Sequence, residues 1–251
     1  MLTIVVPMAG RGSRFQQAGY KIPKPLIPVG DKLMIELVID NLTPALPHRF
    51  IFICQRQHIS DFDLENRLKR ATSNPVVIGL DGITEGAACT VLTARAFIDN
   101  HDPLMIANCD QFVDVSIDDY LMAMEKSRLD GQIMTMSAND PKWSFVAIDG
   151  QRRVTRVVEK QVISDEATVG IYNFRQGADF VAGADAMIAR NERVNNEFYI
   201  APVYNDLIQS GYQVGIFNIG SEGNGMYGLG IPEDLESFLS PAIQQRLQHR
   251  L

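Results

Sequence analysis

The stretch TIVVPMAGRGSRF, residues 3–15, joins a short apolar run to a basic segment rich in glycine. Residues 3–6 are typical of a buried β-strand. After them, Gly10 and Gly12 let the backbone turn tightly and present N–H groups to an anion, while Ser13 adds a hydroxyl donor. The stretch therefore predicts a phosphate-binding turn at the end of a strand.

The same alternation of strand and helix continues through the first half of the chain. Short runs rich in Val and Ile predict strands at residues 50–54, 76–80 and 104–107, and amphipathic segments predict helices at residues 33–46, 60–71 and 85–98, with Ser60 capping the second helix. This pattern is typical of βα units around a parallel sheet. We predict an α/β, Rossmann-like fold of three αβα layers.

In the second half the predicted sheet becomes mixed, although mainly parallel overall. Strands are predicted at residues 132–138, 145–148, 154–158, 168–174 and 213–219, with a hairpin turn at Asp149-Gly150, and helices at residues 116–127, 178–189, 198–209 and 232–247. No linker or repeat interrupts the series. We therefore predict a single domain over residues 1–251.

The overall charge and the local charge of the chain differ in sign. The formal net charge is −7 and the pI is near 5.1, which argues against a nucleic-acid partner because phosphate backbones are held by clustered Lys and Arg. Within this acidic chain, a run of 14 residues carries four cations, Arg11, Arg14, Lys21 and Lys24. A small polyphosphate is the expected partner of that run.

Other classes of protein receive no support from the sequence. No apolar run reaches the roughly 20 residues that span a bilayer, so no membrane association is predicted. The three cysteines, Cys54, Cys89 and Cys109, show no CxxC spacing, which favours a reducing cytoplasm. The histidines are scattered without the spacing of a zinc site.

The segment at residues 8–32 is longer than the usual βα connection of about 2 to 6 residues, which indicates a functional loop. Two well-known phosphate loops do not fit it. The pattern GxxxxGK[ST] is absent, and GxGxxG fails because Phe15 stands at the third glycine position. The loop is neither a P-loop nor a Rossmann dinucleotide loop.

MAGRGSRF at residues 8–15, followed by PKPL at residues 23–26, resembles the nucleotide-binding loop of the sugar nucleotidyltransferases, the pyrophosphorylases that make nucleotide sugars. That resemblance implies a GT-A-like fold and a loop that wraps a nucleoside triphosphate. The residues of the loop would be Ala9, Gly10, Gly12, Ser13 and Arg14. It also implies that Lys24 contacts phosphate near the reacting centre, so that Arg14 and Lys24 are catalytic.

Asn108-Cys109-Asp110, after an apolar strand, resembles the metal-binding segment of the same family. Asp110 would be the catalytic metal ligand, and the cofactor Mg²⁺, since Mg²⁺ is held by one or two carboxylates together with phosphate oxygens. Family members often carry a second metal-binding Asp where this chain has Gly228. The number of metal ions is therefore open.

Two further segments resemble the substrate pockets of the family. Gln55 and the run Glu85, Gly86, Ala87 correspond to base recognition, although capping by Thr84 accounts for that run equally well. The acceptor-binding residues would be Asn108, Glu159, Lys160, Gly170 and Glu197, the last being equally explained by its position at a helix start. Residues 1–130 would thus form a nucleotide-binding half and residues 131–251 an acceptor-binding half.

The resemblance is strongest to small bacterial cytidylyl- and uridylyltransferases of surface-polysaccharide synthesis. It implies transfer from a pyrimidine triphosphate, CTP or UTP/dTTP, to a sugar phosphate or similar phosphorylated molecule, with a homodimer left open. One alternative is a GT-A glycosyltransferase, although Asp110-Gln111-Phe112 lacks a DxD arrangement. The other is a catalytically silent nucleotide-binding protein.

Overall fold

Thirteen β-strands lie within residues 1–248, which are the residues that the computed structural model describes. The runs rich in β-branched residues form the strands, as their packing on a pleated surface favours. The strands are β1 (Leu2–Pro7), β2 (Pro28–Val29), β3 (Lys32–Leu33), β4 (His48–Gln55), β5 (Val76–Leu80), β6 (Leu104–Ala107), β7 (Gln111–Val113), β8 (Gly131–Ser137), β9 (Ser144–Ile148), β10 (Val154–Glu159), β11 (Glu166–Phe174), β12 (Val214–Glu222) and β13 (Gly225–Gly228).

The same residues contain eleven α-helices and two 3₁₀ helices, the latter at Lys24–Leu26 and Ala201–Val203. The α-helices are α1 (Ser13–Gln17), α2 (Met34–Leu42), α3 (Arg56–Asp61), α4 (Leu64–Ala71), α5 (Ala87–Leu92), α6 (Arg95–Ile98), α7 (Ile117–Lys126), α8 (Gly177–Ala189), α9 (Tyr204–Gln209), α10 (Pro232–Phe238) and α11 (Pro241–Leu247). No helix among them is long and apolar enough to cross a bilayer.

Eleven of the strands form one sheet with the order β5-β4-β1-β6-β11-β8-β12-β13-β7 along its main path. Five of the eight neighbouring pairs on this path are parallel, and the three that involve β6–β11, β11–β8 and β13–β7 are antiparallel. The hairpin β9–β10 joins the sheet through β11. The prediction of a mixed, mainly parallel sheet is confirmed.

Side chains of β1 alternate between the two faces of the sheet, as the two-residue period of a strand requires. Ile4 and Val6 point into an apolar cluster shared with α2, α4 and α7, whereas Val5 points into a cluster shared with α5, α6, α8 and α9. Both faces are therefore covered by helices. This arrangement confirms the three layers.

A third apolar cluster lies under the long loop after β1. Phe15, which is 1% exposed, packs in it with Ile27 from the loop and with Phe238 and Leu247 from the last two helices. The loop is thus fastened to the C-terminal helices by buried apolar contacts, although its glycines and charged residues lie at the surface.

Several predicted helices have different boundaries. The helix predicted at residues 60–71 is wrong in its start, because Ser60 lies inside α3 and α4 is preceded by Asp63. The helix predicted at residues 198–209 begins as α9 only at Tyr204, since the backbone of Phe198 is engaged by Glu85 and Ala88. Pro241 begins a new helix and so divides the predicted closing helix.

Other differences concern the ends of two predicted helices and two short strands that the sequence pattern did not indicate. The helices predicted at residues 33–46 and 85–98 end earlier or divide, the latter into α5 and α6. Strands β7 and β13, of three and four residues, pair with each other across the chain. Such short strands depend on distant partners and carry little local signal. Residues 249–251 of the predicted domain lie outside the described part.

Phe180 of α8 tests the packing of the sheet against its helices. It is fully buried, with its ring 5.3 Å from that of Phe174 in an edge arrangement. Phe180→Ala is expected to lower the free energy of unfolding by about 3–5 kcal/mol, because it removes transfer energy and leaves a cavity. Urea denaturation followed by circular dichroism measures this value.

Asp185→Ala on the same helix is the matched control. It removes only an exposed ion pair with Arg95, so its effect is expected to stay below about 1 kcal/mol. Equal effects of the two substitutions would show that α8 does not pack as described.

Candidate functional site

A cleft of about 620 Å³ opens beyond the carboxyl ends of the parallel strands β1, β5 and β6. This edge is where ligands bind in open α/β sheets. The lining comes from the end of β1 and the segment after it as far as the start of α1, from the loop after β5 and helix α5, from the residue after β6, and from one segment before α9. Its residues are Pro7, Ala9, Gly10, Arg11, Ser13, Ile83, Thr84, Gly86, Ala87, Thr90, Asn108 and Glu197. The cleft brings together predicted nucleotide-binding and predicted acceptor-binding residues.

The glycine-rich loop leads from β1 into the short helix α1. Gly12, at φ 61°, precedes Ser13, the first residue of that helix. A β-carbon at Gly12 would lie 3.3 Å from the β-carbon of Lys24, tighter than an ordinary contact. Glycine at this position therefore allows the 3₁₀ turn that carries Lys24 to pack against the loop.

Lys24 and Asp110 form an ion pair in which Nζ lies 2.6 Å from Oδ2. The two residues come from the long loop and from the end of β6, and each side chain is 23% exposed. The structure thus places two of the three predicted catalytic residues in direct contact, beside the cleft that contains Asn108, while the third, Arg14, is exposed on α1. Charge-assisted contacts of this length are among the stronger hydrogen bonds in proteins.

The pKa of Lys24 reflects this partner. Burial alone lowers the pKa of the ammonium group, but the Asp110 carboxylate outweighs it, and the net pKa lies above the ordinary lysine value. Lys24 therefore stays positively charged throughout the physiological pH range. A fixed positive charge next to a carboxylate is suited to phosphate and metal binding.

Gly86 forms the wall of the cleft opposite the glycine-rich loop. Its φ is 135°, and a β-carbon there would lie 2.4 Å from the backbone nitrogen and oxygen of Phe198. The backbones are further joined by Ala88 N–H donating to Phe198 and by Phe198 N–H donating to Glu85. The Thr84 hydroxyl donates to the Gly86 carbonyl at 2.9 Å and shares a hydrogen bond of 2.6 Å with the Thr90 hydroxyl. No side-chain hydrogen bond caps the N-terminus of α5 among the described residues.

Two predicted nucleotide-binding side chains lie around this wall without lining the cleft. Gln55 donates Nε2–H to the carbonyl of Ala9 at 2.9 Å, which holds the start of the glycine-rich loop against β4. The carboxylate of Glu85 is bonded to Arg193. The structure therefore gives Glu85 a local partner, while the backbone of its turn remains at the cleft.

Asn108 and Gly170 meet across the pair β6–β11. The Asn108 N–H donates to the Gly170 carbonyl at 3.0 Å, and a β-carbon at Gly170 would lie 2.1 Å from Asn108 Nδ2. Gly170, at φ 83°, is thus required for the Asn108 side chain to lie where it does. Gln111 also borders Gly170, and its buried Nε2 has no hydrogen-bond partner among the described residues.

Glu159, Lys160 and Glu197, three of the predicted acceptor-binding residues, lie close enough to interact electrostatically. Glu159 is buried and bonded to Ser144 Oγ, and burial raises the pKa of its carboxyl group. Lys160 Nζ lies 5.1 Å from the centre of the Tyr199 ring, and its pKa is raised by the hydrogen bond with Tyr199. Lys160 itself is exposed and free to move toward an anion.

The position of Gly228 is next to a carboxylate that the sequence analysis did not assign. A β-carbon at Gly228 would lie 3.0 Å from Asp234 Oδ2, and one at Gly230 would lie 2.6 Å from Asp110 Oδ2. Asp234 lies in the first turn of α10. Burial raises the pKa of its carboxyl group, and the positive charge of Arg14 lowers that pKa to a smaller extent. Both carboxylates therefore lie against one segment, residues 228–230.

Asp234, Gln111 and Tyr199 lie beside predicted site residues, but the sequence analysis assigned no role to any of the three. Asp234 follows Pro232 at the start of a helix, where an acidic residue is equally expected for the helix dipole. Gln111 was noted only as the middle residue of Asp110-Gln111-Phe112, the segment that lacks a DxD arrangement. Neither residue carries a local signal, because the partner that gives each its position is distant in sequence.

The buried thiols near the site are not nucleophiles. Burial raises the pKa of Cys109 to about 11 and that of Cys54 to about 12, so both stay protonated near neutral pH. The thiolate is the reactive form. The site therefore has no cysteine for a covalent intermediate.

Gly86→Ala tests the contact between the two walls of the cleft. The added β-carbon overlaps the Phe198 backbone, so we expect a loss of about 1–3 kcal/mol in the free energy of unfolding, as for other strained backbone positions. Gly82→Ala is the matched control, since no atom lies within 4 Å of its β-carbon position. Thermal denaturation of both variants decides the matter, and equal stability would contradict the described contact.

Comparison with known proteins gives the family. The model of the nucleotidyl transferase family matches residues 4–213. The nucleoside-diphosphate-sugar pyrophosphorylase from Vibrio cholerae RC9 is 26% identical, with a TM-score of 0.79 over 94% of this chain and 99% of that chain. The inositol-1-phosphate CTP transferase from T. maritima, 14% identical with a TM-score of 0.72 over 97% of this chain and 96% of that chain, has the same fold.

Among curated proteins, the bifunctional protein GlmU of Burkholderia orbicola strain AU 1054 is 24% identical over 221 residues. These residues are 85% of this chain and 46% of that protein, so the chain spans about half the length of such relatives. The match to the family model covers most of the chain. The protein belongs to the nucleotidyl transferase family.

Proposed function

We propose that the protein transfers a nucleotidyl group from a nucleoside triphosphate to a sugar phosphate or a similar phosphorylated small molecule, with release of pyrophosphate. One observation carries the proposal. The ion pair of Lys24 with Asp110 lies where the glycine-rich loop meets the end of β6, beside a cleft that includes Ser13, Gly86 and Asn108.

The reaction needs no protein base. A phosphate monoester oxygen of the acceptor is already anionic near neutral pH, so it can attack the α-phosphorus directly. The new bond joins that oxygen to the α-phosphorus, the bond to the bridging oxygen of the β-phosphate breaks, and its electron pair leaves with pyrophosphate. The absence of a histidine or thiolate from the lining described above agrees with this chemistry.

The protein would align the reactants and neutralise their charge. Backbone N–H groups at Gly10 and Ser13 would hold the triphosphate, and Lys24 and Arg14 would balance its charge. On the other side, Lys160 would hold the acceptor phosphate, and Asn108 and Glu197 would contact its polar groups. Tyr199, under Lys160, would position that ammonium group.

The carboxylates present fit Mg²⁺. Magnesium uses one or two carboxylates together with phosphate oxygens and water, and it does not need a protein cage. The described residues contain no group of three or more His, Cys, Asp or Glu placed to hold a metal ion, but Asp110 and Asp234 both lie along residues 228–230. When bound, the metal would neutralise charge on the phosphates, with Asp110 as the principal ligand.

The proposed triphosphate is CTP or UTP/dTTP, and the product would serve as a precursor of surface polysaccharide made in the cytoplasm. Support comes from solved structures of the same fold. One is the CTP transferase described above, and another is UDP-glucose pyrophosphorylase complexed with UDP-glucose, 17% identical with a TM-score of 0.76 over 98% of this chain and 99% of that chain. The turn at Gly86 offers backbone groups for reading a flat base.

A substrate matrix tests the proposed function. Mg²⁺-dependent pyrophosphate release is measured with ATP, CTP, GTP, UTP and dTTP against hexose 1-phosphates, inositol 1-phosphate and phosphocholine. We expect release with a pyrimidine triphosphate and one class of acceptor. Nucleotide binding without release under every combination would contradict the proposal and favour a silent binding protein, and sugar transfer from a nucleotide sugar would favour a glycosyltransferase.

Lys24→Ala should reduce turnover by about 10²–10³-fold, the usual effect of removing one charge-stabilising group from an active site. The substitution also leaves Asp110 without its partner, so circular dichroism must show a folded protein. Lys126→Ala, at an exposed position in the last turn of α7, is the control and should stay near wild type. Near-normal activity of folded Lys24→Ala would remove Lys24 from the mechanism.

Asp110→Asn and Asp234→Asn separate the two carboxylates. We expect Asp110→Asn to abolish metal-dependent turnover, and Asp234→Asn to raise the Mg²⁺ concentration for half-maximal activity by about 10-fold, as outer ligands of metal sites do. Glu233→Gln, at the exposed neighbouring position, should leave the Mg²⁺ titration unchanged. An unchanged titration with Asp234→Asn would show that Gly228 has no carboxylate substitute.

A further inference from the structure

A second cavity lies at the opposite edge of the sheet from the candidate site. It has a volume of about 390 Å³ and is lined mainly by apolar side chains, among them Leu2, Leu46, Leu121, Met124 and Phe174. Leu2 begins β1 and Phe174 ends β11, whereas the candidate site lies beyond the other ends of these strands. Its volume is within the range of small-molecule pockets, about 300–1,000 Å³.

Asn173 gives this cavity a polar wall. The residue is 2% exposed and lines the cavity, and its Oδ1 has no hydrogen-bond partner among the described residues. A buried amide without a partner is costly, and such groups are usually paired with protein or water. The unpaired amide oxygen of Asn173 therefore points to a ligand group that would donate a hydrogen bond to it.

Arg175, two residues further on, repeats the pattern. Its Nε donates to the Leu129 carbonyl at 2.8 Å, but its buried Nη2 has no partner within residues 1–248. The described residues contain five such unpartnered buried side-chain atoms, and two of the five belong to residues of this one cavity. A guanidinium donor and an amide oxygen, both without partners, thus belong to residues that line this mainly apolar cavity.

The charges around the cavity decide the class of ligand. The Arg175 guanidinium lies 3.8 Å from Glu125 and 4.0 Å from Asp130, and the N-terminal ammonium lies 3.3 Å from Asp102. The two cations are therefore balanced by three carboxylates. No positive charge is left to hold a phosphate or a nucleotide, so the ligand differs from the substrates proposed for the other site.

We propose that this cavity is a second ligand-binding site, for a neutral amphipathic small molecule. Its apolar body lies against Leu2, Leu121, Met124 and Phe174. Its head group combines an acceptor with a donor, as a carboxamide does, and pairs with Arg175 Nη2 and the Asn173 amide.

Octanamide is the probe, added to the full chain labelled with [¹³C-methyl]methionine. The methyl signal of Met124 is expected to shift saturably with octanamide, while that of Met34, buried under the long loop, stays constant. Octanoate, the anionic analogue, is expected to bind at least 10-fold more weakly. No saturable shift of Met124, or equal binding of octanoate, would overturn the proposal.

Variants locate the binding. Asn173→Leu, which keeps the side-chain volume but removes the amide, and Leu121→Trp, which fills the cavity, are each expected to weaken octanamide at least 10-fold. Met124→Phe repeats the filling test and is read on the neighbouring Met1 signal. Met122→Trp, at an exposed position outside the lining, should stay within twofold of wild type. Binding unchanged in folded Asn173→Leu and in the filling variants would overturn the assignment.

The exposed side chains of Met1 and Leu46 at the rim leave a second copy of the chain as the competing occupant. Sedimentation velocity decides between them. A monomer, or a dimer that Leu46→Lys does not dissociate, is expected. A dimer that Leu46→Lys converts to monomer would overturn the proposal, because the cavity would then be an interface between two copies of the chain.

Discussion

The ion pair of Lys24 with Asp110 ties the long loop to the end of β6, and the rest of the candidate site depends on it. Gly12 makes room for the Lys24 turn, and Phe15 holds the loop from below through the third apolar cluster. A loop of this length would otherwise sample many conformations, at a cost in entropy on binding. Its anchoring by one charged and one apolar contact holds the backbone of the loop in place beside the cleft.

Glycine residues determine how closely the other backbone segments around the cleft approach one another. Gly86 lies against the Phe198 backbone and Gly170 against Asn108, and a β-carbon at either position would overlap the neighbouring atoms. These contacts join the segments that surround the cleft. The cleft is therefore shaped by the close approach of backbone segments, and Glu197 is a charged residue in its lining.

The carboxylates of Asp110 and Asp234 near residues 228–230 change how a glycine at position 228 is interpreted. Taken alone, a glycine at a position where the family often has an acid suggests a weakened metal site. In the folded protein the Asp234 carboxylate comes next to that position from α10. A second carboxylate thus lies beside the position at which this chain has Gly228, although it comes from a different element.

By itself the sequence determined the alternation of strands and helices and the long glycine-rich loop, and it predicted Lys24 and Asp110 as site residues, since each is expressed in local pattern and residue type. Tertiary structure alone decided that Lys24 contacts Asp110, that Asp234 lies beside Gly228, and that Glu85 bonds to Arg193. It also decided the pairing of β7 with β13 and the late start of α9 at Tyr204. The physical reason is that these contacts join residues far apart in the chain, whose partners no local periodicity or propensity specifies.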